Sequence, residues 1–113
     1  MKQTKVSILG TDYLVSAGNR KEICLDKSND GECRRFSNNI KVLHSLEGDV
    51  TEYEKDKRAE DIVAHEIFHA YCNESGIDID DDTEEKFAVW YMKMWRKMNN
   101  SILQVLDENG LLD

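Results

Sequence analysis

The chain has 113 residues, and its 15 Lys and Arg stand against 23 Asp and Glu, for a net charge of -8. Such a charge opposes binding to the phosphate backbone, so nucleic acid is not an expected partner. No apolar run approaches the roughly 20 residues of a membrane-spanning helix, and the first residues are too polar for a signal peptide, so no membrane association is expected. We expect one soluble domain over residues 1–113, located in the cytoplasm.

The first half of the chain predicts strands, within about residues 5–53. Val6–Val15 alternates as a strand bent at Gly10, and Asn38–Ser45 reads as another strand. Between them, Ser28–Gly31 has turn chemistry, and the flanking segments Ile23–Leu25 and Cys33–Phe36 are predicted to pair as a hairpin. The pattern indicates a small antiparallel sheet of two to four strands.

The second half predicts helices, within about residues 54–107. A first helix runs from Glu54 and ends at Gly76, which supplies a left-handed cap. A second helix begins near Thr83 and carries an apolar and aromatic stripe, with a possible break at Asn99–Ser101. The predicted fold class is therefore α+β, with the sheet packed on the first helix and on one or more helices that follow it.

The segment His65-Glu66-Ile67-Phe68-His69 fits the pattern HExxH. Four residues advance a helix by about 6 Å and about 400° of rotation, so both imidazoles leave the same face. Two ligands can then converge on one metal ion, and Glu66 lies where a general base would hold a water molecule. The spacing predicts His65 and His69 as zinc ligands and Glu66 as the catalytic residue.

A catalytic zinc usually takes three protein ligands, so one more must come from elsewhere in the chain. Glu84 and Glu85 open the second helix, from which a carboxylate can reach back to the histidines. The helical wheel slightly favours Glu84, and both acids also suit a helix N-terminus without any metal. His44, at the end of a predicted strand, is the weakest candidate. The spacing alone leaves these alternatives open.

The run His65–Gly76, HEIFHAYCNESG, followed by an acidic pair and then Trp90, resembles the short HExxH zinc peptidase-like proteins of phages and prophages. These are similar to minimal gluzincins and, more distantly, to ImmA/IrrE-type peptidases. Alignment on Trp90 implies Glu85 as the third ligand, with Glu84 as the alternative. The family often has an acid that orients a zinc-bound histidine at the position of Val89, so here that partner is missing or supplied elsewhere.

The resemblance implies a zinc-dependent metallopeptidase that cleaves a peptide or protein substrate, in the host cytoplasm if a phage encodes it. Zinc would lower the pKa of its bound water from about 15.7 toward about 7, and Glu66 would take the proton and pass it to the leaving amine. The alternative is a zinc-binding interaction module of the same fold that cuts nothing. A metal-free helical interaction protein is a third reading. Oligomeric state cannot be read from the sequence.

Overall fold

A computed structural model describes residues 1–108 and residue 110. It has a four-stranded sheet followed by two long helices, so the predicted α+β class is confirmed. The elements in chain order are β1 (Lys2–Ile8), β2 (Thr11–Gly18), α1 (Arg20–Ile23), β3 (Gly31–Arg34), β4 (Asn39–Leu43), α2 (Glu52–Ser75) and α3 (Asp81–Glu108).

The segment predicted as one bent strand is a hairpin of two strands. β1 and β2 pair antiparallel, with Ile8 opposite Thr11. Leu9 and Gly10 form the connection, and both have positive φ angles, 49° and 89°. Two consecutive residues of this kind give the turn whose twist matches a hairpin, and so the chain reverses at Gly10 instead of continuing.

The sheet is mixed, which corrects the expectation of a wholly antiparallel one. Its strand order is β1-β2-β4-β3, and β2 and β4 run parallel. A parallel pair needs a crossover connection. Here the chain leaves β2 through α1, forms β3, and then turns back to insert β4 between β2 and β3.

The predicted pairing of Ile23–Leu25 with Cys33–Phe36 is wrong. Ile23 ends the short helix α1, whose first turn is closed by a capping box between Asn19 and Glu22. Cys33 lies in β3 and pairs with Ile40 of β4. The strand predicted at Asn38–Ser45 corresponds to β4.

Helix α2 begins and ends at residues that cap it. Thr51 accepts a hydrogen bond from the backbone N–H of Glu54, and the Glu54 side chain returns one to Thr51. Gly76, with φ of 70°, closes the other end as predicted. One face of the helix packs on the sheet, where Tyr13, Ile40 and Leu43 are fully buried. This packing fixes the rotation of the HExxH segment relative to β3.

Helix α3 runs back along α2 as one unbroken helix, so the possible break at Asn99–Ser101 does not occur. Its first turn lies beside the HExxH segment, and Arg96 pairs with Glu60 about three turns further along. Asp80 accepts a hydrogen bond from the Thr83 N–H and caps the start of α3. Within the described residues, no helix combines the length and apolar character needed to cross a membrane.

Candidate metal centre

The two histidines of the HExxH segment lie one turn apart on α2 and approach each other closely. Their Nε2 atoms are 3.3 Å apart. Both side chains are mostly shielded from solvent, with 16% and 18% exposed. The predicted convergence of the two imidazoles on one point is therefore present in the structure.

Glu85 brings its carboxylate to the same point from the first turn of α3. Its Oε1 lies 2.8 Å from Nε2 of His65, and its Oε2 lies 3.0 Å from Nε2 of His69. One atom from each of the three residues falls within 4.8 Å of the others. The carboxylate thus bridges both rings on the side where a cation would bind.

These three residues fit a zinc ion in both chemistry and spacing. Two imidazole nitrogens and one carboxylate are a known ligand set for catalytic zinc, which keeps a fourth position open. Zinc–nitrogen bonds of about 2.0–2.1 Å in a tetrahedron place neighbouring ligand atoms about 3.3–3.4 Å apart. The separation of 3.3 Å between the two Nε2 atoms agrees with this value.

Burial also favours the protonation state that a metal needs. It lowers the pKa of His65, against the smaller opposing effect of the nearby Glu85 charge. A histidine must be neutral to bind a metal ion, so a lowered pKa keeps more of the ring in the competent form at neutral pH.

Glu84, the alternative third ligand, occupies a different position from Glu85. Its Oε2 lies 2.5 Å from Nδ1 of His69, on the opposite side of the ring from His65. Glu84 as a whole is only 6% exposed. The guanidinium of Arg35, 3.5 Å away, is its second partner. Glu84 therefore meets one histidine, whereas Glu85 meets both.

Glu66 is buried beside the centre, with 7% of its surface exposed. Among the described residues no donor forms a hydrogen bond with its carboxylate. Burial raises its pKa to about 7, partly offset by the neighbouring His69. It lines a cavity of about 380 Å³ together with His69, Glu84 and Glu85. A carboxyl group whose pKa lies near neutrality is suited to exchange protons with a reactant.

One candidate from the sequence, His44, lies outside this cluster. His44 pairs with Asp56, at 2.8 Å between Nε2 and Oδ1, and is not part of the group. Cys72, three residues after His69, is half-buried and likewise absent from the group of possible ligands.

Three residues of the neighbouring strand and turn were missed by the sequence reasoning. Gly31 lies directly against Glu66, and Cys33 and Arg35 line the cavity. Only Gly31 carried a signal, because a glycine inside a strand often marks a close approach of two parts of the chain. The other two follow from how β3 packs on α2.

Comparisons with known proteins give no match to this chain, whether with protein-family models, curated proteins or solved structures.

Proposed function

We propose that this protein is a zinc-dependent metallopeptidase, with His65, His69 and Glu85 as metal ligands and Glu66 as the general base. The observation that carries the proposal is the convergence of two imidazoles and a carboxylate on one point, beside a buried glutamate. Two histidines placed together in this way, with a bridging acid, have no evident packing purpose.

The proposed chemistry divides between the ion and the chain. When bound, zinc supplies Lewis acidity that polarises a carbonyl group and acidifies water. Glu66 accepts a proton from the attacking water, whose oxygen forms a bond to the carbonyl carbon. As the C–N bond breaks, Glu66 delivers that proton to the departing amine. The pKa of about 7 suits both transfers, because neither form of the carboxyl group is strongly disfavoured near neutral pH.

The proposed setting is the cytoplasm. All three cysteines are free, as expected in a reducing compartment. The proposed partner is a peptide or protein chain, and the cavity of about 380 Å³ beside the centre lies within the size range of ligand pockets.

Three proteins test the proposal: wild type, Glu66→Gln and His69→Ala. Each is purified without added metal, assayed for zinc, reconstituted, and incubated with a labelled unfolded protein and with peptide mixtures read by mass spectrometry. We expect near-stoichiometric zinc in wild type and Glu66→Gln, and little in His69→Ala. Cleavage should appear in wild type only, because loss of a general base costs about 10²-fold or more.

The outcomes also separate the proposal from the non-catalytic zinc module. Equal cleavage by wild type and Glu66→Gln would show that the activity does not come from this site. Zinc in both proteins without cleavage by either would favour the interaction module, for which the same three ligands suffice. Failure of wild type to bind zinc even after reconstitution would overturn both.

A further inference from the structure

We infer that Glu84 is a positioning residue, which fixes the ring of His69 so that its Nε2 faces the metal point. This inference rests on the proposed metal centre, and it assigns different roles to two adjacent glutamates. Glu85 binds the ion, and Glu84 forms a hydrogen bond with Nδ1 of the ligand His69, on the side of the ring away from the ion.

The first argument is the contact itself. Glu84 Oε2 lies 2.5 Å from His69 Nδ1, within direct hydrogen-bond contact, and the ring nitrogen is the donor because an ionised carboxylate can only accept. Nε2 of the same ring lies 3.0 Å from Oε2 of Glu85 and 3.3 Å from Nε2 of His65. The two nitrogens of His69 therefore have separate partners, and Glu84 cannot approach His65 from its position.

The second argument concerns the tautomer. A neutral imidazole carries one N–H, and the nitrogen that carries it is decided by the hydrogen bond it makes. In the metal-free protein a carboxylate faces each nitrogen of His69. The contact of Glu84 with Nδ1 is the shorter, 2.5 Å against 3.0 Å for Glu85 with Nε2, so Glu84 should retain the proton on Nδ1 and leave the lone pair of Nε2 available to an ion. Metal-binding histidines commonly have such a partner, whose removal typically costs about 10–100-fold in metal affinity.

The third argument is the burial of Glu84. A buried carboxylate is costly unless it is paired, and its partners are His69 and Arg35. Its place is also fixed by the backbone, since the Glu84 N–H donates to the carbonyl of Asp80 at 2.9 Å. The carboxylate of Glu85, by contrast, is 54% exposed, and among residues 1–108 and 110 its contacts are with the two histidines. The buried carboxylate of Glu84 is therefore suited to orient the His69 ring, and the exposed carboxylate of Glu85 is suited to bind an ion.

The test compares Glu84→Ala and Glu84→Gln with the matched control Glu85→Gln. The tautomer of His69 is read in metal-free protein by long-range ¹H–¹⁵N NMR, in a pH series that extends to about pH 9. Wild type and Glu85→Gln should show the proton on Nδ1, and Glu84→Ala should lose that preference. Glu84→Gln retains an acceptor oxygen without the charge, so Glu85 should compete better for the proton and the preference for Nδ1 should be weaker than in wild type. This variant keeps the protein folded if Glu84→Ala does not fold.

Zinc affinity is then measured by competition with a chelator. We expect a fall of about 10–100-fold in Glu84→Ala and a smaller fall in Glu84→Gln, because the neutral amide is a weaker acceptor. An unchanged tautomer in folded Glu84→Ala, or a proton on Nε2 in both wild type and Glu84→Gln, would overturn the inference. The tautomer is read without metal, so a wild type that has the Nδ1 proton but binds no zinc would contradict the proposed function alone.

Discussion

Two glutamates on α2, eight residues apart, sit in opposite environments. Glu74 accepts a hydrogen bond of 2.7 Å from the hydroxyl of Tyr13 and another of 3.0 Å from Asn73. Hydrogen bonds from Thr11 and Tyr13 lower its pKa. Glu66 is buried without a hydrogen-bond donor among the described residues, and its pKa is raised to about 7. The first carboxylate ties the helix to the sheet, and the second destabilises the fold when ionised.

The difference separates a structural acid from a candidate catalytic one. A buried charge without a partner lowers stability, so its retention calls for an explanation other than packing. Titratable groups with perturbed pKa values cluster at functional sites for this reason. Glu66 also lies beside the two histidines, whereas Glu74 lies at the far end of the helix.

The largest expected effect is an opposite response of stability to removal of the two charges. In metal-free protein, the raised pKa of Glu66 stabilises the fold below pH 4.5, and this contribution is lost as pH rises through about 7. Each pKa unit corresponds to ~1.4 kcal/mol, so Glu66→Gln should raise the free energy of unfolding at pH 8 by roughly 3 kcal/mol relative to its effect at pH 4.

Glu74→Gln is the matched control. The lowered pKa of Glu74 gives stability that is present above its ordinary pKa and is lost as pH falls, so this variant should be less stable than wild type at pH 8. Urea denaturation with chelator present, at both pH values, measures the two changes. A Glu66→Gln variant that is less stable than wild type at pH 8 would contradict the predicted opposite responses of the two glutamates.

A second test of the comparison displaces the Glu66 side chain while leaving the residue itself unchanged. A Cβ at Gly31 would lie 2.5 Å from Cγ2 of Ile62 and 2.8 Å from Oε2 of Glu66, so Gly31→Ala must move both side chains. Overpacking of this kind costs about 1–3 kcal/mol. We expect reduced peptide cleavage with zinc binding retained, because the metal ligands are not touched.

Gly18→Ala is the control for Gly31→Ala. A Cβ there meets the flexible end of Glu22 at 3.0 Å, away from the metal centre. It should cleave peptides as wild type does, measured at equal zinc content. Wild-type cleavage by Gly31→Ala would indicate that the position of Glu66 does not matter.

The parts of this molecule that local spacing determines could be predicted from the sequence. HExxH on an amphipathic segment predicts the facing histidines, and the glycine at 76 predicts the helix end. The hairpin at Leu9–Gly10 was missed because Leu9 is an unusual residue for a left-handed turn position. The parallel pairing of β2 with β4 depends on contacts between distant segments, which strands of eight and five residues do not encode locally.

The positions of Glu84 and Glu85 show more clearly what the sequence pattern does not determine. A helical wheel tells which side of α3 faces α2, and it favoured Glu84, which is indeed the buried residue of the two. It does not tell which nitrogen of a facing histidine each carboxylate meets. That depends on how far α3 lies along α2, which is set by the connection from Gly76 to Asp80. Under the proposed roles, Glu84 would take the place of the acid that is absent at Val89, although the spacing suggested Glu84 as a metal ligand.

The smallest expected effect concerns Cys33, the thiol that lines the cavity beside Glu66. Burial, with the nearby Glu66 charge, raises its pKa to about 12. A cysteine that attacks substrate or binds metal needs a lowered pKa, so this shift argues against either role. With iodoacetamide at about pH 8, Cys33 should react at least ~10²-fold more slowly than the exposed Cys24, as read by mass spectrometry. Cys33→Ala should still bind zinc, and loss of zinc in that variant would place the thiol among the ligands instead.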